Sequence, residues 1–337
     1  MKKLLILFIA LTAIGFGAEA REKINFDKNW RFILADSAKM ETPEYNDSRW
    51  RSLNVPHDWA IEGDFSASAP SGNSGGALPG GVGWYRKTFS LDAADKGKQF
   101  YIDFDGVYMN AKVWINGQLL GQRPYGYSSF RYDLTPYLKF GGKNVVAVRV
   151  DNNDQPNSRW YSGCGIYRHV WLVKTEKIHV AHWGTHVVAE GKKVNVSVVV
   201  DNMTGTEEKI VVRNKVVDAE GKTVAEAAKT VTLPSASPML LVYPPKPADK
   251  SRSTYHTTLT VKRPQLWSCE RPYTYKVVTT IELKGKVMDA YETVTGFRTF
   301  SFDAAKGFSL NGKQMKINGV CQHHDLGCLG AAINEDA

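Results

Sequence analysis

The sequence GFSLNGKQMKINGVCQHHD, residues 307–325, combines a hairpin with a strand that ends in a polar cluster. Asn311-Gly312 is a dipeptide typical of tight β-turns, because both residues tolerate a positive φ. The apolar strand after this turn continues to Cys321 and leads into Gln322-His323-His324-Asp325. Polar side chains at the end of a buried strand are how (β/α)8 barrels present a substrate site. This stretch therefore predicts the first strand of such a barrel.

The region around this strand, residues 298–337, is too short for a whole barrel. A complete (β/α)8 barrel takes about 250 residues, and the chain ends at residue 337. We therefore expect residues 298–337 to be the start of a catalytic barrel that is truncated after its first strand.

Short β-rich runs recur through residues 21–176, with turn dipeptides such as Asn116-Gly117 between them. These short runs, with no long amphipathic helical period among them, predict an antiparallel sandwich or jelly roll. A Gly/Ser/Pro-rich loop at 70–83 is either a flexible insertion or a functional rim. The strand candidates are 30–33, 83–90, 99–103, 111–115, 144–150 and 169–173.

A second β-rich block covers residues 177–297 and is typical of an immunoglobulin-like β-sandwich. It lacks the Cys…Trp…Cys spacing of antibody domains, so only the architecture is predicted. Its strand candidates are 194–200, 209–217, 230–233, 253–261, 273–283 and 287–294. The fold class is therefore mostly β: an antiparallel sandwich or jelly roll, an immunoglobulin-like sandwich and the first strand of a truncated barrel.

Residues 1–20 have the pattern of a signal peptide. Lys2-Lys3 precede an apolar run, and Ala18-Glu19-Ala20 matches a small-x-small cleavage site. The run is too short for a membrane span. We expect a protein exported to the periplasm or the extracellular space, with no membrane span.

The formal net charge of +9 is spread among acidic residues, which indicates a solvated surface and no nucleic-acid partner. The four cysteines are too sparse for a disulfide scaffold. They could form pairs or stay as thiols, and the sequence does not choose. They are Cys164, Cys269, Cys321 and Cys328.

Two loops of the first region carry candidate binding residues. The segment 157–168 (NSRWYSGCGIYR) combines arginines, aromatics and glycines. Its aromatic side chains are interpreted as packing, and Arg159 as a donor to a ligand. The His57-Asp58 pair beside Trp59 could bind a sugar, but we favour a structural role in fixing its loop.

Two motifs near the end of the chain invite other interpretations. Residues 321–328 (CQHHDLGC) have the residue types of a metal site, but their spacing fits no standard zinc pattern. Hydrogen bonding to a substrate is the favoured interpretation. The Asn334-Glu335 pair could supply the acid of a glycosidase, and we interpret it instead as the N-cap of a helix.

Taken together, these motifs resemble glycoside hydrolase family 2, the family of β-galactosidases, β-glucuronidases and β-mannosidases. The matching stretches follow in order along the chain: FDKNWRF (26–32), DSRWRSLNVPHDW (47–59), GWYRKTF (83–89), VWINGQLLG (113–121), NSRWYSGCGIYRHVWL (157–172), LWSCERPYTY (266–275), GFRTFSFD (296–303) and LNGKQMKINGVCQHHDLGCLGAA (310–332). The resemblance implies a jelly-roll sugar-binding domain, an immunoglobulin-like domain and a catalytic barrel. The stretches around residues 159 and 322 are most similar to the β-galactosidase branch.

The resemblance also implies the chemistry. His323, His324 and Asp325 would line the site for the terminal sugar of an oligosaccharide or β-glycoside, and Arg159 would reach in from the jelly roll. The family mechanism retains configuration through two carboxyl groups. Both are glutamates of later barrel strands, expected beyond residue 337, so no catalytic residue is assigned here.

The same resemblance leaves other properties open. No cofactor is identifiable in the sequence, and Mg²⁺ or Na⁺ in the full enzyme and an oligomeric assembly are both compatible with it. The alternatives to an enzyme are a non-catalytic carbohydrate-binding module and an inactive truncation product.

Overall fold

The computed structural model describes residues 21–156, 161–234, 252–323 and 325–337. The predicted signal peptide, residues 1–20, lies outside this part of the chain. The described residues form antiparallel sheets, joined by turns and by short 3₁₀ helices. These 3₁₀ helices are Ala60–Glu62, Asn73–Gly75, Ala93–Asp95, Thr135–Tyr137 and Gly327–Leu329.

The first sandwich packs a four-stranded sheet, in the order β1-β10-β5-β8, against a six-stranded sheet, in the order β3-β2-β4-β9-β6-β7. Its strands are β1 (Glu22–Asn25), β2 (Trp30–Leu34), β3 (Arg51–Leu53), β4 (Gly81–Ser90), β5 (Gln99–Phe104), β6 (Ala111–Ile115), β7 (Gln118–Arg123), β8 (Phe130–Asp133), β9 (Lys143–Asn152) and β10 (Val170–Thr175). Fully buried Trp30, Phe104 and Val148 lie in the core between the two sheets.

The turn between β6 and β7 shows why the sequence folds locally as it does. Side chains of β6 alternate between buried and half-buried, as expected for a strand with one face on a core. Asn116 and Gly117 then take φ values of 51° and 82°. The Asn116 amide donates to Asn144 Oδ1 at 2.8 Å and its oxygen accepts from the Val145 N–H at 2.9 Å. The turn is therefore held by its own side chain.

The second sandwich packs a sheet in the order β11-β12-β15 against one in the order β14-β13-β16-β17. Its strands are β11 (Ile178–Glu190), β12 (Lys193–Asn202), β13 (Glu208–Val217), β14 (Thr223–Leu233), β15 (Arg252–Thr260), β16 (Tyr275–Leu283) and β17 (Lys286–Thr295). Buried Val196, Ile210 and Ile281 belong to its core.

Every strand predicted in the two sandwiches is confirmed. The sequence pattern missed β1, β3, β7, β8 and β11. The residues of β1 are all exposed and those of β7 are exposed or half-buried, so neither strand shows a buried face. In β11 the alternation is broken by a bulge between Val180 and Thr185.

The hairpin predicted around Asn311-Gly312 is confirmed. Strands β18 (Phe300–Asp303), β19 (Gly307–Leu310) and β20 (Lys313–Gln314) form a small sheet, and Asn311 and Gly312 have the positive φ values of a tight turn. The strand predicted to continue to Cys321 is not formed, and Val320 is 90% exposed. A barrel strand needs a partner on each side, and the described residues place no strand beside this segment. The barrel stays a prediction.

A buried ion pair joins the two sandwiches. Asp289 in β17 is fully buried and accepts the Val180 N–H at 2.7 Å and the Arg21 guanidinium at 2.8 Å. Arg21 precedes β1 of the first sandwich and stacks over the ring of Tyr291 in the second. One carboxylate thus connects the start of the chain to two strands of the second sandwich.

Replacing Asp289 by alanine should lower the free energy of unfolding by about 3–5 kcal/mol, because the Arg21 charge loses its buried partner. Urea unfolding followed by tryptophan fluorescence measures this loss. The control is Glu190→Ala at the exposed end of β11, which should change stability by about 0.5 kcal/mol or less. Equal stabilities of the two variants would contradict the anchoring role of Asp289.

Candidate functional site

The last part of the chain, residues 325–335, lies against the first sandwich although the second sandwich precedes it in sequence. The Ala331 N–H donates to Asp58 Oδ2 at 2.9 Å, and the Ile333 N–H donates to the Tyr167 carbonyl at 3.0 Å. Ala331 is fully buried in the core of that sandwich. We call residues 325–335 the C-terminal segment. Its contacts hold the chain that follows His323 beside the loop that follows Arg159.

Asp58 is the centre of this contact. It is only 2% exposed, and its carboxylate accepts four hydrogen bonds. Oδ1 accepts from the N–H groups of Ala60 and Cys164 at 3.0 and 2.9 Å. Oδ2 accepts from the Tyr161 hydroxyl at 2.8 Å, in addition to the Ala331 N–H. A buried carboxylate is tolerated when its oxygens are hydrogen-bonded in this way. Asp58 therefore joins three separate parts of the chain.

Two glycines allow the loops to close around this carboxylate. Gly163 and Gly330 have φ values of 69° and 58°, a conformation that other residues rarely adopt. A Cβ on Gly163 would lie 2.5 Å from Asp58 Oδ2, and a Cβ on Gly330 would lie 2.5 Å from the Ile61 side chain. The glycines of the SGCG and GCLG stretches are thus required by close packing against Asp58 and its neighbours.

The electrostatics of the cluster keep its other groups neutral. Burial, together with the charge of Asp58, raises the pKa of Tyr161, so its hydroxyl stays a donor. The charge of Asp325 contributes in the same direction, though less than burial and Asp58 do. Burial raises the pKa of the Cys164 thiol to about 12. The four cysteines are free, and Cys164 alone is buried.

His57 next to Asp58 has a structural environment. Its Nδ1 lies 2.7 Å from the Tyr85 hydroxyl, and its Nε2 lies 2.9 Å from an Arg51 nitrogen. Burial lowers the pKa of His57 despite the nearby Glu62 carboxylate, so the ring is neutral at pH 7. The favoured structural interpretation of the His57-Asp58 pair agrees with these contacts.

A second histidine binds the end of the C-terminal segment. His169 Nδ1 is 2.6 Å from Asp27 Oδ2, and Nε2 is 3.3 Å from Glu335 Oε1. Burial lowers the pKa of His169, but the two carboxylates outweigh this effect, and the pKa is raised above 6.5. A cavity of about 270 Å³ lies beside this contact, lined by His169 and residues near Asn334.

The predicted helix cap at Asn334 is partly present. Asn334 Oδ1 accepts the Ala337 N–H at 2.9 Å, as an N-cap side chain does. No helix follows within the described residues, and Glu335 contacts His169 instead. The capping hydrogen bond predicted for Asn334 is therefore confirmed, whereas the helix predicted to follow it is not formed within the described residues.

Of the four predicted site residues, Arg159 and His324 lie outside the described residues. His323 is exposed and Asp325 is half-buried, and Asp325 Oδ1 accepts the Gly327 N–H at 3.4 Å. Their roles stay predictions. The packing role predicted for the aromatic side chains of 157–168 is confirmed for Tyr161, which is buried in the core. Sequence reasoning missed the hydrogen bond from Tyr161 to Asp58 and the binding of the C-terminal segment, for which the glycines at 163 and 330 were the available signal.

Two further properties concern the described residues. They contain no group of three or more His, Cys, Asp or Glu side chains arranged to hold a metal ion. In the same part of the chain, no helix is long and apolar enough to cross a bilayer.

Replacing Asp58 by alanine should lower the free energy of unfolding by about 3–5 kcal/mol, because several buried donors lose their acceptor. It should also speed amide hydrogen exchange in residues 326–333, which exchange mass spectrometry measures. Asp64→Ala, an exposed change on the same loop, is the control. Unchanged exchange at Ala331 in Asp58→Ala would rule out the joining role.

The contact between His169 and Glu335 should depend on pH. A histidine whose folded pKa is raised contributes its stability fully below the unfolded value of 6.5, and loses it as pH rises through the folded pKa. Exchange of the amides of residues 333–337 should therefore exceed the intrinsic rise with pH above about 6.5. His169→Gln should abolish this excess, whereas exposed His256→Gln should keep it. An excess that persists in His169→Gln would contradict this assignment.

Comparisons with known proteins match the two sandwiches separately. The model described as "Glycosyl hydrolases family 2, sugar binding domain" matches residues 24–176. The model described as "Glycosyl hydrolases family 2" matches residues 177–298. Together they cover both sandwiches.

Individual relatives agree with these matches. A beta-galactosidase, BoGH2A, of Bacteroides ovatus is 55% identical over 322 residues, which are 94% of this chain and 36% of that protein. A putative beta-glucuronidase of Formosa agariphila is 42% identical and covers 97% of this chain and 30% of its own length. A crystal structure of a family 2 member from Bacteroides cellulosilyticus superposes with a TM-score of 0.84 at 40% identity, covering 92% of this chain and 40% of that one.

The chain thus spans about a third of the length of the curated relatives named here. The region it shares with them is their N-terminal portion. From both family models and these relatives, the chain belongs to glycosyl hydrolase family 2.

Proposed function

We propose that this chain is the N-terminal portion of an exported retaining glycoside hydrolase that removes terminal galactose from β-galactosides. The proposed domains are a signal peptide at 1–20, a jelly-roll sugar-binding domain at 21–176, an immunoglobulin-like domain at 177–297 and the start of the catalytic barrel at 298–337. The substrate is an oligosaccharide or another β-glycoside. The protein is proposed to act in the periplasm or outside the cell.

The observation that carries this proposal is the position of the C-terminal segment. Asp58 binds both Tyr161, two residues after Arg159, and Ala331, six residues after Asp325. Two parts of the chain far apart in sequence are therefore held on one face of the jelly roll. Such convergence supports a shared site formed by Arg159 and the residues 323–325.

The roles of these residues follow from their chemistry. Arg159 offers a planar set of N–H donors to sugar hydroxyls. Asp325 offers oxygens that accept hydroxyl hydrogen bonds, and the imidazoles of His323 and His324 each offer two ring nitrogens as hydrogen-bonding groups. These residues would hold the terminal sugar, while two glutamates beyond residue 337 would act as acid and nucleophile, about 5–5.5 Å apart.

The preference for galactose rests on the relatives. The B. ovatus protein, at 55% identity, is named a beta-galactosidase, and the F. agariphila protein, at 42%, a putative beta-glucuronidase. A galactoside and a glucuronide differ in charge at C6, so a direct comparison of both substrates separates the two specificities.

A chimera tests the roles of the four residues. Its N-terminal portion would be this chain, and the remainder would come from the B. ovatus beta-galactosidase. We expect it to hydrolyse an aryl β-galactoside faster than an aryl β-glucuronide. Asp325→Asn and Arg159→Ala should each lower kcat/KM by about 100-fold, because a buried polar group of the substrate loses its partner.

The matched control is Glu207→Gln, an exposed change of the same charge in the second sandwich, which should keep kcat/KM within about twofold. An active chimera that is insensitive to Asp325→Asn would refute the assignment of the site. Titration of the 337-residue chain with galactose and lactose addresses the binding-module alternative, since heat lost in Arg159→Ala would favour that alternative.

A further inference from the structure

A cleft of about 140 Å³ lies where the two sandwiches meet, apart from the Asp58 cluster. The jelly roll contributes polar side chains of β5 and β8, and the second sandwich contributes the bulge of β11 and Tyr291 of β17. We call it the junction cleft. None of its lining residues contacts the C-terminal segment in the hydrogen bonds described above, so it is a separate place on the molecule.

Trp183 forms one wall of the junction cleft and is unusual in two respects. Its side chain is 68% exposed, although indole is among the most costly side chains to leave in water. Its φ is 52°, in the left-handed region that costs an L-residue about 1–2 kcal/mol. Strained conformations of this kind cluster at ligand clamps. The bulge between Val180 and Thr185 therefore has the features expected of a segment that presents Trp183 to a ligand.

The indole of Trp183 is also oriented. It stacks on the ring of His182 at 4.3 Å between centroids, with 26° between the planes. One face of the indole is thus covered by His182, while Trp183 as a whole remains 68% exposed. A flat aromatic face with no charge of its own suits the apolar face of a pyranose ring.

The floor of the cleft is polar and preorganised. Arg131 donates to both oxygens of Asp103, at 2.5 and 2.6 Å, and both residues are buried. Asp105 Oδ2 accepts the indole N–H of Trp171 at 2.8 Å. Each carboxylate oxygen has about two acceptor positions, so these aspartates can accept further hydrogen bonds from hydroxyl groups.

The charges lining the cleft are nearly balanced. Two carboxylates, Asp103 and Asp105, face three cationic side chains, Arg21, Lys23 and Arg131. Each of the five already has a partner within the protein, as Arg131 binds Asp103, Arg21 binds Asp289, Asp105 accepts from Trp171, and Lys23 lies 4.0 Å over the Trp171 ring. This near balance of charge favours a neutral polyhydroxyl compound as the ligand over a strong anion or a strong cation.

We propose that the junction cleft binds a single pyranose unit of a neutral carbohydrate, with the ring stacked on Trp183 and its hydroxyls donating to Asp103 and Asp105. The volume is below the range of about 300–1,000 Å³ found for larger ligands, which fits one sugar unit. This second carbohydrate site would hold a part of a glycan away from the proposed site around Arg159 and Asp325.

The test uses the 337-residue chain with ¹⁵N-labelled tryptophan. The indole resonance of Trp183 is assigned by its loss in Trp183→Phe and followed during titration with galactose, glucose, xylose, lactose and cellotetraose. We expect at least one of these sugars to shift it in a saturable manner. The variants lack this resonance, so their affinity for that sugar is measured by calorimetric titration. Trp183→Ala should weaken the binding at least tenfold, and Trp183→Phe, which keeps an aromatic face, should weaken it less.

Two variants separate this site from the proposed function. Arg159→Ala should leave the Trp183 titration unchanged, even where it abolishes sugar binding elsewhere, and Phe65→Ala, which removes another exposed aromatic side chain, should also leave it unchanged. Failure of every sugar to shift Trp183 at tens of millimolar would overturn the junction site and leave the Arg159 assignment intact. Protection of Trp183 from acrylamide quenching in a longer, chimeric protein would overturn it as well, because another part of the protein would then fill the cleft.

Discussion

The carboxylate of Asp58 is the constraint on which the arrangement of the candidate site depends. It is buried, and a buried carboxylate must be surrounded by donors, which here come from three parts of the chain. Both surface loops are needed to satisfy Asp58. Without the C-terminal segment it loses the donor Ala331, and without the loop around Tyr161 it loses the donors Tyr161 and Cys164. A single charged group thereby converts two surface loops into one packed unit. The glycines at 163 and 330 are a consequence, because only they fit so close to it.

Much of the fold was predictable from the sequence, for a local reason. Strands such as β6 and β12 alternate between a core face and an outer face, and turns such as Asn116-Gly117 need residues that accept positive φ. Each of these signals is contained within a few consecutive residues, so it can be read without knowing which strands pair. Edge strands such as β1 and β7 have no buried face, and their existence is decided by a partner strand distant in sequence.

The site was predictable in its residue types and not in its organisation. The resemblance pointed to Arg159 and to residues 323–325, but the group that brings the neighbouring loops together is Asp58, more than a hundred residues from Tyr161 in sequence. The exposed position of Trp183 was not predictable from its residue type, because an isolated tryptophan in a strand normally indicates a core residue. Only the bulge in β11 turns it outward, and the register shift that produces the bulge depends on β12.

The pairing of Arg21 with Asp289 gives the start of the chain an importance that its position does not suggest. Arg21 directly follows Ala20, where the proposed signal peptide would end, so cleavage at that bond would make it the first residue of the processed chain. Aminopeptidase trimming by a single residue would remove the cation that neutralises Asp289. With such a cleavage, the accuracy of N-terminal processing would determine how firmly the two sandwiches hold together, and heterogeneous processing would yield a mixture of stable and weakened molecules from one gene.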